Sequence, residues 1–302
     1  MKPSTVSGVL RALSAAILWG TTGTSQHFAG GHVSPYWIGA LRIVIAAVFF
    51  AALVRFTERH GAPRPASPGL RRRQLLAGAS IAVYNLAFFA GVKLAGVAVG
   101  TVIGIGSAPL FAGALQAVVT RRAPRPLWWC GTALAIAGGA AIALGNGADR
   151  LGAPANAGGL LLCMLAGLAY AVYTLTAKSL SLHASPARAS LWVFGTAAVL
   201  ALPAAWLIVP SGAADLVAAG SRSWLVVAWL GLVATGLAYL LFSSALRFIS
   251  GATGVALALA EPLTAFTLAV VVLGEPLRTS GVAGVVLILS GLALVIRGER
   301  PQ

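Results

Sequence analysis

Polar side chains are sparse in this sequence, and the few that interrupt its long apolar runs are the ones whose chemistry matters. A charged or polar group in hydrocarbon is costly, so such residues turn toward a bundle interior or a water-filled cavity. Glu261 is the one carboxylate inside an apolar run, a position suited to carrying a proton or to pairing with an ammonium group. Beside Pro262, which removes a backbone donor, the same carboxyl can instead satisfy freed backbone N–H groups. Trp19, Thr22 and Gln26 stand at i, i+3 and i+7, on one helical face, and Tyr170, Tyr173 and Thr174 make a second such face with Ala177. Tyr84, Asn85 and Tyr239 add further aromatic, amide and hydroxyl groups. Together they predict an aromatic-rich cavity for a flat or amphipathic organic solute. The same Trp and Tyr residues also suit interfacial belts or the gaps between helices. Arg42 lies about seven residues into its run, roughly 10 Å along a helix, and so can snorkel to the nearer interface. Its alternative is to hold a substrate carboxylate.

Elements able to position these groups follow from composition. The 302 residues are 59% apolar and 9% charged, with mean hydropathy +0.91. A soluble domain carries about a quarter charged residues, so the solvent for most of this chain is lipid. About 20 apolar residues cross a bilayer core. Divided at charged, Pro-rich or Gly-rich punctuation, the chain yields ten spans: Gly8 to Phe28, Pro35 to Phe56, Gln74 to Leu94, Ala98 to Thr120, Leu127 to Asn146, Ala157 to Ser179, Pro186 to Val209, Ser223 to Leu246, Ser250 to Leu273 and Thr279 to Ile296. The first is expected to be a retained helix and not a signal peptide, since no small-residue cleavage site is evident and nine spans follow. The longest connector, from Arg55 to Arg73, is too short for a folded domain.

The net charge of +15 would suggest nucleic acid in a soluble protein, but the arginines cluster in connectors without interleaved aromatics. They are flanking charges of spans, and lysine and arginine accumulate on cytoplasmic connectors. With the N-terminus inside, only Lys93, Arg150, Arg222 and Arg278 fall on the outer side, while all the others except Arg42 fall inside. Both termini are therefore expected in the cytoplasm, in keeping with an even number of spans.

The two halves repeat. His32-Val33-Ser34-Pro35 recurs as His183-Ala184-Ser185-Pro186 at an offset of 151, which also brings Trp19 onto Tyr170 and Thr22 onto Tyr173. Lys93 and Gly100 meet Arg247 and Gly254 at 154; Pro109-Leu110, Gly131 and Gly138 meet Pro262-Leu263, Gly284 and Gly291 at 153. Each repeat, residues 1–150 and 151–302, holds five spans, and an odd number turns the second copy over in the membrane. Inverted repeats place a site near the midplane where the halves meet and allow alternating access to it. The fold class is thus an all-α integral membrane protein of ten helices in two inverted five-helix repeats. Pro109 and Pro262 are expected to break spans four and nine and to serve gating.

These residues resemble the drug/metabolite transporter (DMT) superfamily, specifically its ten-span EamA-type bacterial exporters. The resemblance covers essentially the whole chain and rests on Trp19-Gly20, Arg42, Pro109-Leu110, Glu261-Pro262-Leu263, Gly274-Glu275-Pro276 and the Gly-rich last span. It implies a proton-coupled or gradient-driven exporter of amino acids or related metabolites, similar to aromatic-amino-acid exporters. It also implies a central cavity lined by spans one, three, four, six, eight and nine. One departure is Ala108-Pro109, which lacks the acidic residue of Glu261-Pro262.

Enzymatic alternatives find little support in the sequence. There is no Gly-x-x-x-x-Gly-Lys-[Ser/Thr] loop for ATP, no His-Glu-x-x-His and no Gly-x-Ser-x-Gly. Cys130 and Cys163 are read as small buried hydrophobes, and no metal or cofactor is expected. The expected protein is a multi-pass transporter of the bacterial inner membrane, not an enzyme. Its partners would be a small-molecule substrate, the lipid bilayer and protons, with no nucleic acid, and it would be a monomer or weak dimer. The alternatives are an uncoupled facilitator or channel, an exporter of drugs, sugars or nucleosides, and more distantly a polytopic membrane enzyme.

Overall fold

A computed structural model of the chain describes residues 3–28, 33–58, 68–147 and 156–299. His32, Arg59, His60, Arg64, Arg150 and the junction expected between the repeats lie outside the described residues. The helices are α1 Pro3–His27, α2 Pro35–Thr57, α3 Pro68–Ala95, α4 Val97–Thr120, α5 Pro126–Gly147, α6 Ala157–Ser181, α7 Pro186–Ile208, α8 Gly212–Ala218, α9 Ser221–Gly231, α10 Ala238–Ala245, α11 Gly251–Leu257, α12 Glu261–Val271 and α13 Thr279–Gly298. A π turn, Leu232–Leu237, joins α9 to α10, and a 3₁₀ turn, Ala258–Ala260, joins α11 to α12, so that each pair forms one rod.

Nine helical stretches among the described residues are long and apolar enough to cross a membrane. The first helix is not among them. It is 25 residues long and packs against α10 and α12, but Thr21, Thr22, Thr24, Ser25 and Gln26 make its far end more polar. Two boundaries differ from expectation. The third span begins at Pro68 instead of Gln74, and its 28 residues reach about 42 Å, which carries exposed Arg71, Arg72 and Arg73 beyond a 30 Å core. The short helix α8 occupies what reads in sequence as a plain connector. Between α3 and α4 the chain reverses at Gly96, whose φ of +84° favours a residue without a Cβ.

The proline expectation is half corrected. α4 runs unbroken through Pro109. In the second half the helix tightens into the 3₁₀ turn and restarts with Pro262 in the first turn of α12, where its missing N–H costs nothing. At that turn the sequence offset between halves falls from 154 to 153: Gly104 to Ala108 takes four steps, but Ala258 to Glu261 only three.

The inverted repeat is visible in the packing. α5 lies on α13 through two glycine contacts, and a Cβ on Gly131 would fall 2.6 Å from the Gly291 carbonyl oxygen, one on Gly138 2.6 Å from that of Gly284. The offset of 153 exchanges these two contacts, as a pseudo-twofold axis between α5 and α13 requires. α2 and α7 form a second self-paired couple. At one end Glu58 accepts from Ser185 and forms an ion pair with Arg188; at the other the Trp37 indole donates to the Val209 carbonyl at 3.0 Å. An offset of 151 carries Trp37 onto Arg188 and Glu58 onto Val209, so these two ties are the same contact in the two halves, with different chemistry.

Packing also separates the two cysteines. Cys163 is buried between α3 and α4, as expected, but Cys130 is exposed, which corrects the sequence reading. It neighbours Gly131, which faces α13, and one residue is about 100° around the helix.

Candidate functional site

A cavity of about 530 Å³ lies between the halves, lined from α1, α2, α3, α4, α6, α10, α11, the 3₁₀ turn and α12. Its wall is nearly twofold. Trp19 faces its repeat-mate Tyr170, Asn85 its mate Tyr239, and Thr101, Gly104 and Ala108 their mates Val255, Ala258 and Glu261. Thr101 with Val255 and Gly104 with Ala258 are identified by the repeat offset alone.

The aromatic groups predicted to oppose one another do so. The Trp19 ring centroid is 5.0 Å from that of Tyr239, 6.4 Å from that of Tyr170 in an edge arrangement, and 5.2 Å from that of Phe242. Tyr84 approaches Tyr170 at 5.2 Å. Aromatic pairs at these separations hold each other in place. Thr22 and Gln26 also line the cavity, as expected from their face on α1. Asn85 lines it too, with its amide donating to the Gly39 carbonyl at 3.4 Å and so fixing α3 to α2.

Two predicted residues are not in the wall. Tyr173 is 2% exposed, packed at 5.7 Å from Tyr170 and 5.8 Å from Tyr239, behind the lining rings. Thr174 is fully buried and turns its hydroxyl back onto the Tyr170 carbonyl at 2.9 Å, within its own helix. The lining face of α6 is narrow, and a shift of three or four positions already leaves it. Pro109 and Pro262 lie outside the lining as well.

Arg42 corrects the snorkelling expectation. It lines the cavity with Glu261, and its Nε is buried without a hydrogen-bond partner. The two do not form an ion pair. Both break the twofold pattern, since the repeat-mate of Arg42 is Val193, in the core, and that of Glu261 is Ala108. The cavity therefore has a symmetric apolar frame and an asymmetric pair of charges.

The lining runs from mid-helix to the end of the bundle where α1 finishes at His27 and α2 begins at Pro35. The other end is packed. Phe50, Leu180, Phe194, Leu246 and Ile249 are essentially inaccessible there. A polar layer covers them. Lys178 donates to the carbonyls of Leu246 and Ile249 at 3.0 and 2.7 Å, and Glu299 accepts from the backbone N–H and hydroxyl of Ser250 and from the Thr253 hydroxyl. Gln116 accepts from the Ala252 N–H at 3.0 Å, and the Trp128 indole donates to Thr253 at 3.1 Å.

Among the described residues no three His, Cys, Asp or Glu side chains converge as metal ligands. The cavity combines aromatic walls with side chains of opposite charge type on opposite halves.

Comparison with known proteins agrees with this geometry. Residues 6–144 and 157–297 each match the EamA-like transporter family. A Bacillus subtilis (strain 168) protein named "Uncharacterized transporter YwfM" is 34% identical over 299 residues, covering 97% of this chain and 95% of the relative. "Uncharacterized transporter YxxF" of the same organism is 30% identical over 139 residues, 46% of this chain and 42% of that one. A solved crystal structure 20% identical in sequence aligns at a TM-score of 0.80 over 96% of this chain and 97% of its own, which speaks for the fold. Two successive family matches, one on each side of the pseudo-twofold axis, account for nearly every helix, and the chain is a multi-pass membrane protein that belongs to the EamA-like transporter family.

Proposed function

We propose that the protein is a secondary active transporter that exports neutral amino acids, aromatic ones foremost, across the bacterial inner membrane by alternating access. The observation that carries this reading is the cavity between the inverted halves, open at one end and packed at the other. Its volume falls in the usual range for small-molecule sites, roughly 300 to 1,000 Å³. Rings of Trp19, Tyr84, Tyr170 and Tyr239 suit a flat side chain, and Glu261 supplies a partner for an ammonium group or a carrier for a coupling proton. The distribution of lysine and arginine supports a cytoplasmic position for the packed, polar-layered end and an outward-facing open end.

The test is flux in proteoliposomes holding the full chain, with a panel of amino acids and with and without an imposed pH gradient. Saturable movement of phenylalanine, tyrosine or other neutral amino acids, accelerated by the gradient, is the expected result. Saturable movement indifferent to the gradient would make the protein an uncoupled facilitator. Failure across the panel would discard amino acids and turn the search to sugars, nucleosides or cationic drugs.

A further inference from the structure

Four buried side-chain polar atoms lack a hydrogen-bond partner among the described residues: Trp19 Nε1, Arg42 Nε, Gln74 Nε2 and Thr132 Oγ1. The first two belong to residues that line the cavity. Both are N–H groups, able only to donate. Trp19 is 8% exposed, and its indole is held by the rings of Tyr170, Tyr239 and Phe242, so its N–H is fixed in direction. A buried donor left unpaired is penalised, and such groups in a native protein call for an explanation. Here the acceptor that would satisfy them is missing from the protein itself: Glu261, the carboxylate of the cavity, forms no ion pair with Arg42.

Tyr239 stands in the same cavity wall as both donors, with its ring 5.0 Å from that of Trp19. Neither donor has a counterpart across the axis, because the mate of Arg42 is the core residue Val193 and the mate of Trp19 is a tyrosine. The unpaired donors thus come from the first half alone, while Glu261 comes from the second.

We propose that the Trp19 indole N–H and the Arg42 guanidinium form a subsite for a carboxylate of the transported solute; the proposal rests on the amino-acid reading above. A carboxylate is planar, offers two acceptor oxygens and matches a guanidinium fork. Held there, an amino acid places its ammonium toward the half that carries Glu261, so that the site fixes orientation as well as composition. Aromatic amines that lack a carboxylate leave both donors unpaired and are rejected, because a buried polar group without its partner discriminates strongly.

The experiment uses three probes that share one ring: L-phenylalanine, 3-phenylpropanoate, which lacks the ammonium, and 2-phenylethylamine, which lacks the carboxylate. Binding to the purified full chain is measured by isothermal titration. 3-Phenylpropanoate is expected to bind about tenfold or more tightly than 2-phenylethylamine. Trp19→Phe and Arg42→Gln should each shrink that ratio about fivefold or more, with Arg42→Lys retaining part of it. Equal binding of the two probes, no binding of 3-phenylpropanoate, or a ratio unchanged in both variants overturns the subsite. If Trp19→Phe does not fold, the wild-type ratio and Arg42→Gln decide. Phenylalanine flux in proteoliposomes separates the two readings. Carboxylate preference without phenylalanine flux sinks the amino-acid reading and leaves the subsite standing; phenylalanine flux without carboxylate preference does the reverse.

Discussion

The carboxylate of Glu299, just past the end of α13, sits on the amino end of α11 and accepts the Ser250 backbone N–H at 2.7 Å. Its second oxygen accepts the Ser250 hydroxyl at 2.9 Å and the Thr253 hydroxyl. The last helix thereby caps the helix that leads to Glu261, with the negative charge at the favourable end of the α11 dipole. Glu299→Ala is expected to cost about 2–4 kcal/mol, and Glu299→Gln, which keeps an acceptor, about half as much. Thermal unfolding in detergent measures both.

Glu58 should give the α2–α7 couple an acid-sensitive tie. The Ser185 hydroxyl, and then Arg188, hold its carboxyl below the ordinary value of 4.5 against the opposing effect of burial. A carboxylate held below its unfolded value adds stability above that value, and the addition is lost as the pH falls through the folded value. The melting temperatures of wild type and Glu58→Gln should therefore differ at pH 6 and converge as the pH drops well below about 4. Curves that stay parallel down to acid pH would contradict the tie.

Glu261→Gln removes the charge that the second half presents to the cavity. Flux in proteoliposomes is expected to fall about tenfold or more and to lose most of its pH dependence. A variant with wild-type rate and wild-type pH profile would leave the carboxyl a structural role beside Pro262.

Much of this arrangement is legible in sequence because lipid simplifies the pattern: an apolar run must be a helix, and the repeat offsets then place helices opposite one another. Trp19, Tyr170 and Tyr239 met as expected for that reason. What failed was rotation about a helix axis. Residues three or four apart share a face in sequence, yet the lining strip of α6 is only one residue wide at Tyr170, so Tyr173 and Thr174 fall behind it. Arg42 failed for a different reason. Depth from the span end is compatible with either the interface or the axis, and the choice depends on how α2 leans against α3, which no local pattern encodes. Glu58 and Glu299 carry no local signal of their roles because their partners, Arg188 and Ser250, are distant in sequence.

Glycine contacts at the α5–α13 couple make a contrast that can be measured. Gly131→Ala places a methyl 2.6 Å from a backbone oxygen of α13 and should destabilise by about 1–3 kcal/mol. Gly195→Ala, in α7 with open space around it, should be neutral or stabilise by up to about 1 kcal/mol through helix propensity alone. Detergent melts of the two single variants compare them directly.

The two helix couples that map onto themselves, α5 with α13 and α2 with α7, have a mechanical meaning. α2 and α7 are fastened at both extremities, by Glu58 to Arg188 and by Trp37 to Val209, and therefore cannot splay like a hinge. α5 and α13 are seated on each other at Gly131 and Gly138 with no room for sliding bulk. Exchanging the roles of the halves returns each couple to itself, so under the alternating access proposed above neither would have to be dismantled. On that proposal they would serve as two stators, and the moving set would be what stands between them: α1, α3, α4, α6 and the two interrupted rods, the helices that supply nearly all of the cavity wall. The π and 3₁₀ turns both fall within that set, in rods whose backbone is already wound away from the regular helix.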